Sequence, residues 1–265
     1  MSSGRNKRNV THNISTPGGS RSAGAVGDLG EGFRTRFEII RAVTDAQKDA
    51  VYRVRHNVYC EDLSLEPISQ DGWERDEYDA HAKALLLRHI GIGEYVACVR
   101  LIRPGAGCLE DPLPFEQICA GTLDHALIGS DPIPRTQIAE ASRLAIISKF
   151  RRRTGEAPVP SPLSEQDFGD EHFPRFPYIV VGLYLGVIAL AKFEGVERLF
   201  VLTEPRLAEH LSRLDVHVTS VGGPVEHHGI RYPSMIAVDS VINGLNRYVR
   251  PIYDEIVRQL ELSPQ

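Results

Sequence analysis

Apolar positions are nearly absent from residues 1 to 36, a stretch rich in Gly, Ser, Arg and Asn. A segment of that kind cannot bury enough surface to offset the entropy of ordering, so it is expected to be a disordered tail ahead of one domain spanning residues 37 to 265. From Phe37 the pattern changes. Phe37–Val43 reads as a strand, and Asp45 can cap a helix to about Glu61 in which Val51, Val54 and Val58 recur at helical spacing. An acidic loop, Asp71–Asp79, leads to apolar strands near 82–89 and 95–102. A connection punctuated by Pro and Gly carries a short helix near 115–120, then comes a strand over 138–147 and a proline-rich loop over 154–177. Beyond lie a helix over 178–193, a strand over 198–202, a short helix over 204–213, one or two strands near 216–221 and 232–238, and a C-terminal helix from Asp239. Antiparallel strands first and a helix–strand–helix unit later predict an α/β fold, a mixed β-sheet flanked by helices.

Charges interrupt two of the apolar runs. Arg100 sits inside Val96–Ile102, and Glu140 and Arg143 open the run that ends at Ile146. Period-two alternation puts Glu140 and Arg143 on opposite faces of a strand unless a bulge re-aims one, and bulges cluster beside active sites. Two strands each carrying an isolated charge suggest a polar cleft cut into the sheet. An internal Glu–Arg ion pair that only fixes strand register stays open as the alternative.

With 265 residues, 42% hydrophobic and 25% charged, the chain has ordinary globular composition, and its net charge of −5 argues against bulk nucleic-acid binding. Cys60, Cys98, Cys108 and Cys119 lack metal-ligand spacing and read as reduced, buried thiols of a cytoplasmic protein. The longest apolar run, Tyr178–Ala191, is too short to cross a bilayer. His227 and His228 are adjacent, hence on opposite faces of a strand, and carry no recognisable third ligand. Four clusters remain as candidate chemistry. Arg55 and Tyr59 share a helix face. Asp76 and Asp79, with Trp73 just before them, suit a substrate ammonium or, equally, a solvated acidic turn. Arg100, Glu140 and Arg143 form the strand group, and Lys149, Arg151, Arg152 and Arg153 make a basic run directly after the third strand.

The order of these clusters resembles the acyl-homoserine-lactone (autoinducer) synthases: Arg-x-x-x-aromatic (Arg55, Tyr59), Asp-x-x-Asp (Asp76, Asp79), an arginine in an apolar strand (Arg100), then Phe115, then Glu-x-x-Arg (Glu140, Arg143). Downstream, Tyr184–Ile188, Thr203–Leu207 and Val225–Arg231 are more similar to the PEP-CTERM/exosortase-associated acyltransferases and N-acyl amino acid synthases. Together the two likenesses cover nearly everything from Phe37 onward. Both groups have the GNAT-like fold, which agrees with the mixed sheet read from the pattern.

The resemblance implies an acyltransferase that moves an acyl group from the phosphopantetheine thioester of an acyl carrier protein to the primary amine of an amino acid or similar small molecule. On that reading Glu140 is the catalytic base, helped by Arg100 and Arg143, which would orient the acceptor's carboxylate or brace Glu140. Arg55, Tyr59, Trp73, Asp76, Asp79 and Phe115 would line the substrate site, and Lys149, Arg151, Arg152 and Arg153 would dock the acidic carrier protein. No bound cofactor and no metal are implied. Two departures matter. Leu65 stands where autoinducer synthases place a tryptophan, which weakens S-adenosylmethionine as acceptor. Arg152-Arg-Thr-Gly155-Glu-Ala157 matches the pyrophosphate loop of coenzyme A acetyltransferases, yet Pro158, Pro160 and Pro162 follow it. Acyl-coenzyme A is therefore the second-ranked donor, an acyl-CoA-dependent GNAT acetyltransferase or an acyl-homoserine-lactone synthase is the alternative enzyme, and a module that binds acyl chain or carrier protein without turnover is the non-enzymatic alternative.

Overall fold

The apolar runs that lack alternation belong to strands covered on both faces. The computed structural model describes residues 28–105, 110–124, 133–151, 176–204, 207–208, 211–212 and 216–263. At its centre lies a mixed eight-stranded sheet of β1 (Phe37–Arg41), β2 (Ala82–His89), β3 (Glu94–Ile102), β4 (Ile138–Ile146), β5 (Arg198–Thr203), β6 (Thr219–Ser220), β7 (Val225–Glu226) and β8 (Ile230–Ala237). The order is β1-β2-β3-β4-β5-β8-β6, with β7 pairing β8 off that path, and the β4–β5 pair is parallel while the others are antiparallel. Leu85 and Leu87 of β2 face the larger core with Phe33 and Ile39, whereas Leu86 faces a smaller one with Val51, Val54, Val58, Cys98 and Ala145.

Helices cover both faces. Within the segment read as a tail, Leu29–Arg34 form α1, capped by Asp28, whose carboxylate accepts from the Gly30 N–H at 3.0 Å. Its anchor is Phe33, fully buried with ring centroids 5.8 Å from Phe37 and 6.5 Å from Tyr178. The order therefore begins before Phe37; residues 1–27 lie outside the described residues. Thr44, not Asp45, caps α2 (Asp45–Arg55) in a reciprocal box with Gln47. The helix then widens into a π turn, His56–Asp62, instead of continuing as α to Glu61. After α3 (Pro114–Ile118) and α4 (Ser148–Arg151), α5 (Tyr178–Phe193) makes the crossover that a parallel pair requires and buries Val180–Ala191 without interruption. The single C-terminal helix expected from Asp239 is two, α6 (Val238–Gly244) and α7 (Arg250–Leu262). Between them the Asn246 side chain accepts from the Tyr248 and Val249 N–H groups, an Asx turn that redirects the chain. The loop expected at 154–177 falls almost wholly outside the described residues, as do parts of the helix expected over 204–213.

Two irregularities shape the centre of the sheet. Strands β4 and β5 pair only over Ile138–Glu140 with Arg198–Phe200, though each runs on beyond that point, so they part and leave one edge of β4 open. Opposite, β3 residues Cys98 and Arg100 pair Ala145 and Ser142, so β4 carries one extra residue there, a β-bulge at Arg143 and Leu144.

Candidate active site

The bulge settles the alternation problem. Arg143 adopts φ 51°, a left-handed backbone conformation, and its guanidinium reaches the side of the sheet where Arg100 and Glu140 lie. Nε of Arg143 donates to Glu74 Oε1 at 3.1 Å, and Nη2 meets Glu66 Oε1 and Asp76 Oδ2, both at 3.4 Å. Arg100, 2% exposed, donates from Nε to Ser142 Oγ at 3.1 Å, from Nη1 to Asp76 Oδ1 at 2.6 Å and Asp79 Oδ1 at 2.9 Å, and from Nη2 to Asp76 Oδ2 at 3.0 Å. Arg55, fully buried, donates to Glu74 and, at 2.7 Å, to Asp79 Oδ1. Three arginines and four carboxylates thus form one connected network, which is how buried charges are tolerated. Burial pushes Asp79 up, but the hydrogen bond and charge of Arg55, with Arg100 beyond, outweigh it and hold the carboxyl below its ordinary value. Asp76 and Asp79 also cap the 3-10 turn Glu77–Ala80 reciprocally, Asp76 accepting from Tyr78 N–H at 3.0 Å and Asp79 from Asp76 N–H at 2.9 Å.

Glu140 stands apart from this network. It is 3% exposed, its Oε2 accepts the Phe115 N–H at 2.8 Å, and no arginine lies within ion-pair distance of it among the described residues. Phe115 offers that N–H because Pro114 starts α3 and the first helical amides lack intrahelical partners. Burial raises the Glu140 carboxyl to about 7, against the opposing pull of the Phe115 N–H and the more distant Arg100 and Arg143. It therefore gains and loses a proton near neutrality.

Where β4 and β5 part lies a cavity of about 390 Å³. Tyr59, Asp76, Arg100, Glu140 and Arg143 are among its polar lining residues, and Val187, Ile188, Leu199, Val201 and Ile236 among its apolar ones. Arg231 also lines it, donating to Glu204 and to the carbonyls of His227 at 3.3 Å and His228 at 3.0 Å. His228 Nε2 is 3.6 Å from Glu66 Oε1. The two histidines thus sit on the β7–β8 turn at the cavity wall.

The strand group expected from the sequence comes together, with Arg55 and Asp79 supporting it from behind the cavity. Other expected site residues lie elsewhere in the structure. The Trp73 ring packs on Tyr52 at 6.2 Å beneath Arg75 at 5.0 Å and is not among the cavity-lining residues. The Phe115 side chain stacks on Phe200 at 4.5 Å in the core, and only its backbone serves the site. Arg100 makes four hydrogen bonds, to Asp76, Asp79 and Ser142, and so braces the network. Arg151, expected on a docking surface, has a side chain 3% exposed, pairs with Asp62 and lines the cavity; Lys149 is exposed. Arg152, Arg153 and Gly155 lie outside the described residues. Glu74, the shared partner of Arg55 and Arg143, was not singled out from the sequence, because one acid among many in a polar stretch gives no signal of burial. Glu204 and Arg231 belong to segments quoted for a likeness without a role.

The acetyltransferase (GNAT) domain family matches residues 54–158. Among solved structures, the acyl-homoserine-lactone synthase LasI is 16% identical, covers 79% of this chain and 95% of its own, and superimposes with a TM-score of 0.53. The fold is GNAT-like. The same GNAT-like architecture appears in FeeM, an N-acyl amino acid synthase from uncultured soil microbes (16% identity, 79% and 95% coverage, TM-score 0.50), and in BjaI, a CoA-dependent acyl-homoserine lactone synthase (17%, 87% and 90%, 0.51). No curated protein matches the sequence.

Proposed function

We propose that this chain is an N-acyltransferase that moves a fatty acyl group from an acyl carrier protein thioester to the primary amine of an amino acid or similar small molecule. The observation that carries this reading is Glu140, a carboxyl poised near 7 inside a cavity lined by both polar and apolar side chains, at the point where two GNAT-like strands part. The apolar part of the lining suits an acyl chain. An ammonium acceptor beside Glu140 gives it a proton, and the freed nitrogen attacks the thioester carbonyl. The oxyanion is met by backbone N–H groups on the open edge of β4. Collapse breaks the C–S bond, the thiolate takes the proton held by Glu140, and the carboxylate so freed passes the second nitrogen proton to solvent. A cysteine nucleophile is not called for. Burial raises the thiols of Cys60, Cys98 and Cys119, Cys98 to about 12, so thiolate is scarce at neutral pH.

Supporting this reading, the GNAT-like fold is shared with acyl-homoserine-lactone and N-acyl amino acid synthases. The test mixes the protein with acylated carrier protein or acyl-coenzyme A and a panel of amines, following thiol release and N-acyl product by mass spectrometry. Glu140→Gln is expected to keep the fold and donor binding but to lose about 100-fold or more in turnover, the scale of a general base. A near-normal rate removes Glu140 from the mechanism. Binding without thiol release leaves a non-enzymatic module, and better use of acyl-coenzyme A overturns the carrier-protein part.

A further inference from the structure

Two backbone irregularities meet at a single hydrogen bond. The π turn after α2 closes with Leu63 N–H donating to the Val58 carbonyl at 3.0 Å, and the Tyr59 carbonyl accepts from both Leu65 and Glu66 N–H, at 2.8 and 3.1 Å. Tyr59 is thereby held rigidly at its backbone. Its hydroxyl donates at 2.8 Å to the carbonyl of Leu144, one of the two residues of the β4 bulge, and its ring lies 5.6 Å beneath the guanidinium of Arg143, the other. Burial raises the Tyr59 phenol to about 12, so it keeps its proton and remains a donor. The left-handed φ of Arg143 is a strained conformation for a non-glycine residue, of the kind that persists only where its surroundings hold it.

We propose that Tyr59 is a positioning residue that clamps the bulge and so aims the backbone N–H groups of the open β4 edge at the reacting thioester. The peptide group is planar, so holding the Leu144 carbonyl fixes the plane that continues into Ala145, and the Arg143 contact limits rotation on the other side. This role differs from the substrate contact that the resemblance implies for Tyr59, and it rests on the acyl-transfer reading above. π turns and β-bulges both concentrate near functional sites. Here the two are joined by one phenol.

Tyr59→Phe removes only the hydroxyl. The expected result is a fall in kcat of about 10- to 100-fold, on the scale of weakening an oxyanion donor, with the KM for the amine within about twofold. The infrared carbonyl stretch of a bound, ¹³C-labelled acyl thioester should move back toward its solution frequency, and amide exchange at Leu144 and Ala145 should quicken. An unchanged kcat with unchanged stretch and exchange overturns the proposal, as does a raised amine KM at constant kcat, which marks a plain substrate contact. If the wild-type protein transfers no acyl group to any amine, the functional reading fails, while faster exchange at the bulge in Tyr59→Phe still supports the clamp and unchanged exchange still overturns it.

Discussion

At the scale of the residue, the role proposed for Glu140 carries an expected pH behaviour. With its carboxyl near 7, kcat/KM should rise about tenfold per unit below that value and level above it, as the proposed base becomes ionised. Its stability effect has the opposite sign. The folded value lies above an unfolded one near 4.3, so the folded state holds the proton more tightly; that contribution is complete below about pH 4 and is lost as pH rises through about 7. Glu140→Gln cannot ionise and still offers an oxygen to the Phe115 N–H. Its stability relative to wild type should therefore grow between about pH 5 and pH 8, approaching about 3 kcal/mol, while Asp79 and the other carboxylates cancel in the comparison. Denaturant titrations of both proteins across that range check this, and a constant difference would show that Glu140 is ionised throughout. Arg100 and Glu140 were visible in the sequence because a charge inside an apolar run needs a reason. Glu74 was not, since only Arg55 and Arg143, from other elements, make it a buried partner.

At the scale of the element, the boundaries of β2, β3, β5 and α5 could be read from apolar runs and their punctuation. The π turn could not, because Val54 and Val58 are spaced four apart in either kind of helix and no breaker separates them. Alternation posed the bulge as a condition without locating it. The break after α6 depends on the Asn246 side chain, and asparagine within a polar-apolar pattern does not announce a turn by itself. Helix α5 carries a testable constraint of its own. Gly182 lies so close to the buried Phe33 ring of α1 that an added Cβ would come within 2.6 Å of Cε2, and that ring is packed against Phe37 and Tyr178. Gly182→Val should destabilise the fold by about 2 kcal/mol through overpacking. A rise in Tm on this substitution, as a poor helix former leaving an exposed helix would give, would mean that α1 does not pack there.

At the scale of the whole molecule, strand order was the least legible feature, since β8 enters between β5 and β6 through contacts far apart in sequence. Charge is legible but gives a different kind of information. A net charge of −5 opposes association at long range with the acidic carrier protein proposed as donor, so on that proposal the encounter runs through a local basic surface. With Arg151 buried against Asp62, Lys149 is the exposed cation that α4 presents beside the cavity among the described residues. Its ammonium lies 5.8 Å from the Phe150 ring centroid. Rim charges act mainly on association rate, and exposed charges are screened within about 10 Å at 0.1 M salt. Lys149→Glu should therefore lower kcat/KM for acyl carrier protein about three- to tenfold and leave the rate with a minimal acyl-pantetheine donor unchanged. The wild-type reaction with carrier protein should slow with added salt, and the variant's should slow less. Equal loss with both donors would place Lys149 in the chemistry rather than in docking. A salt-independent reaction with carrier protein would mean that charge does not guide the donor to this face at all.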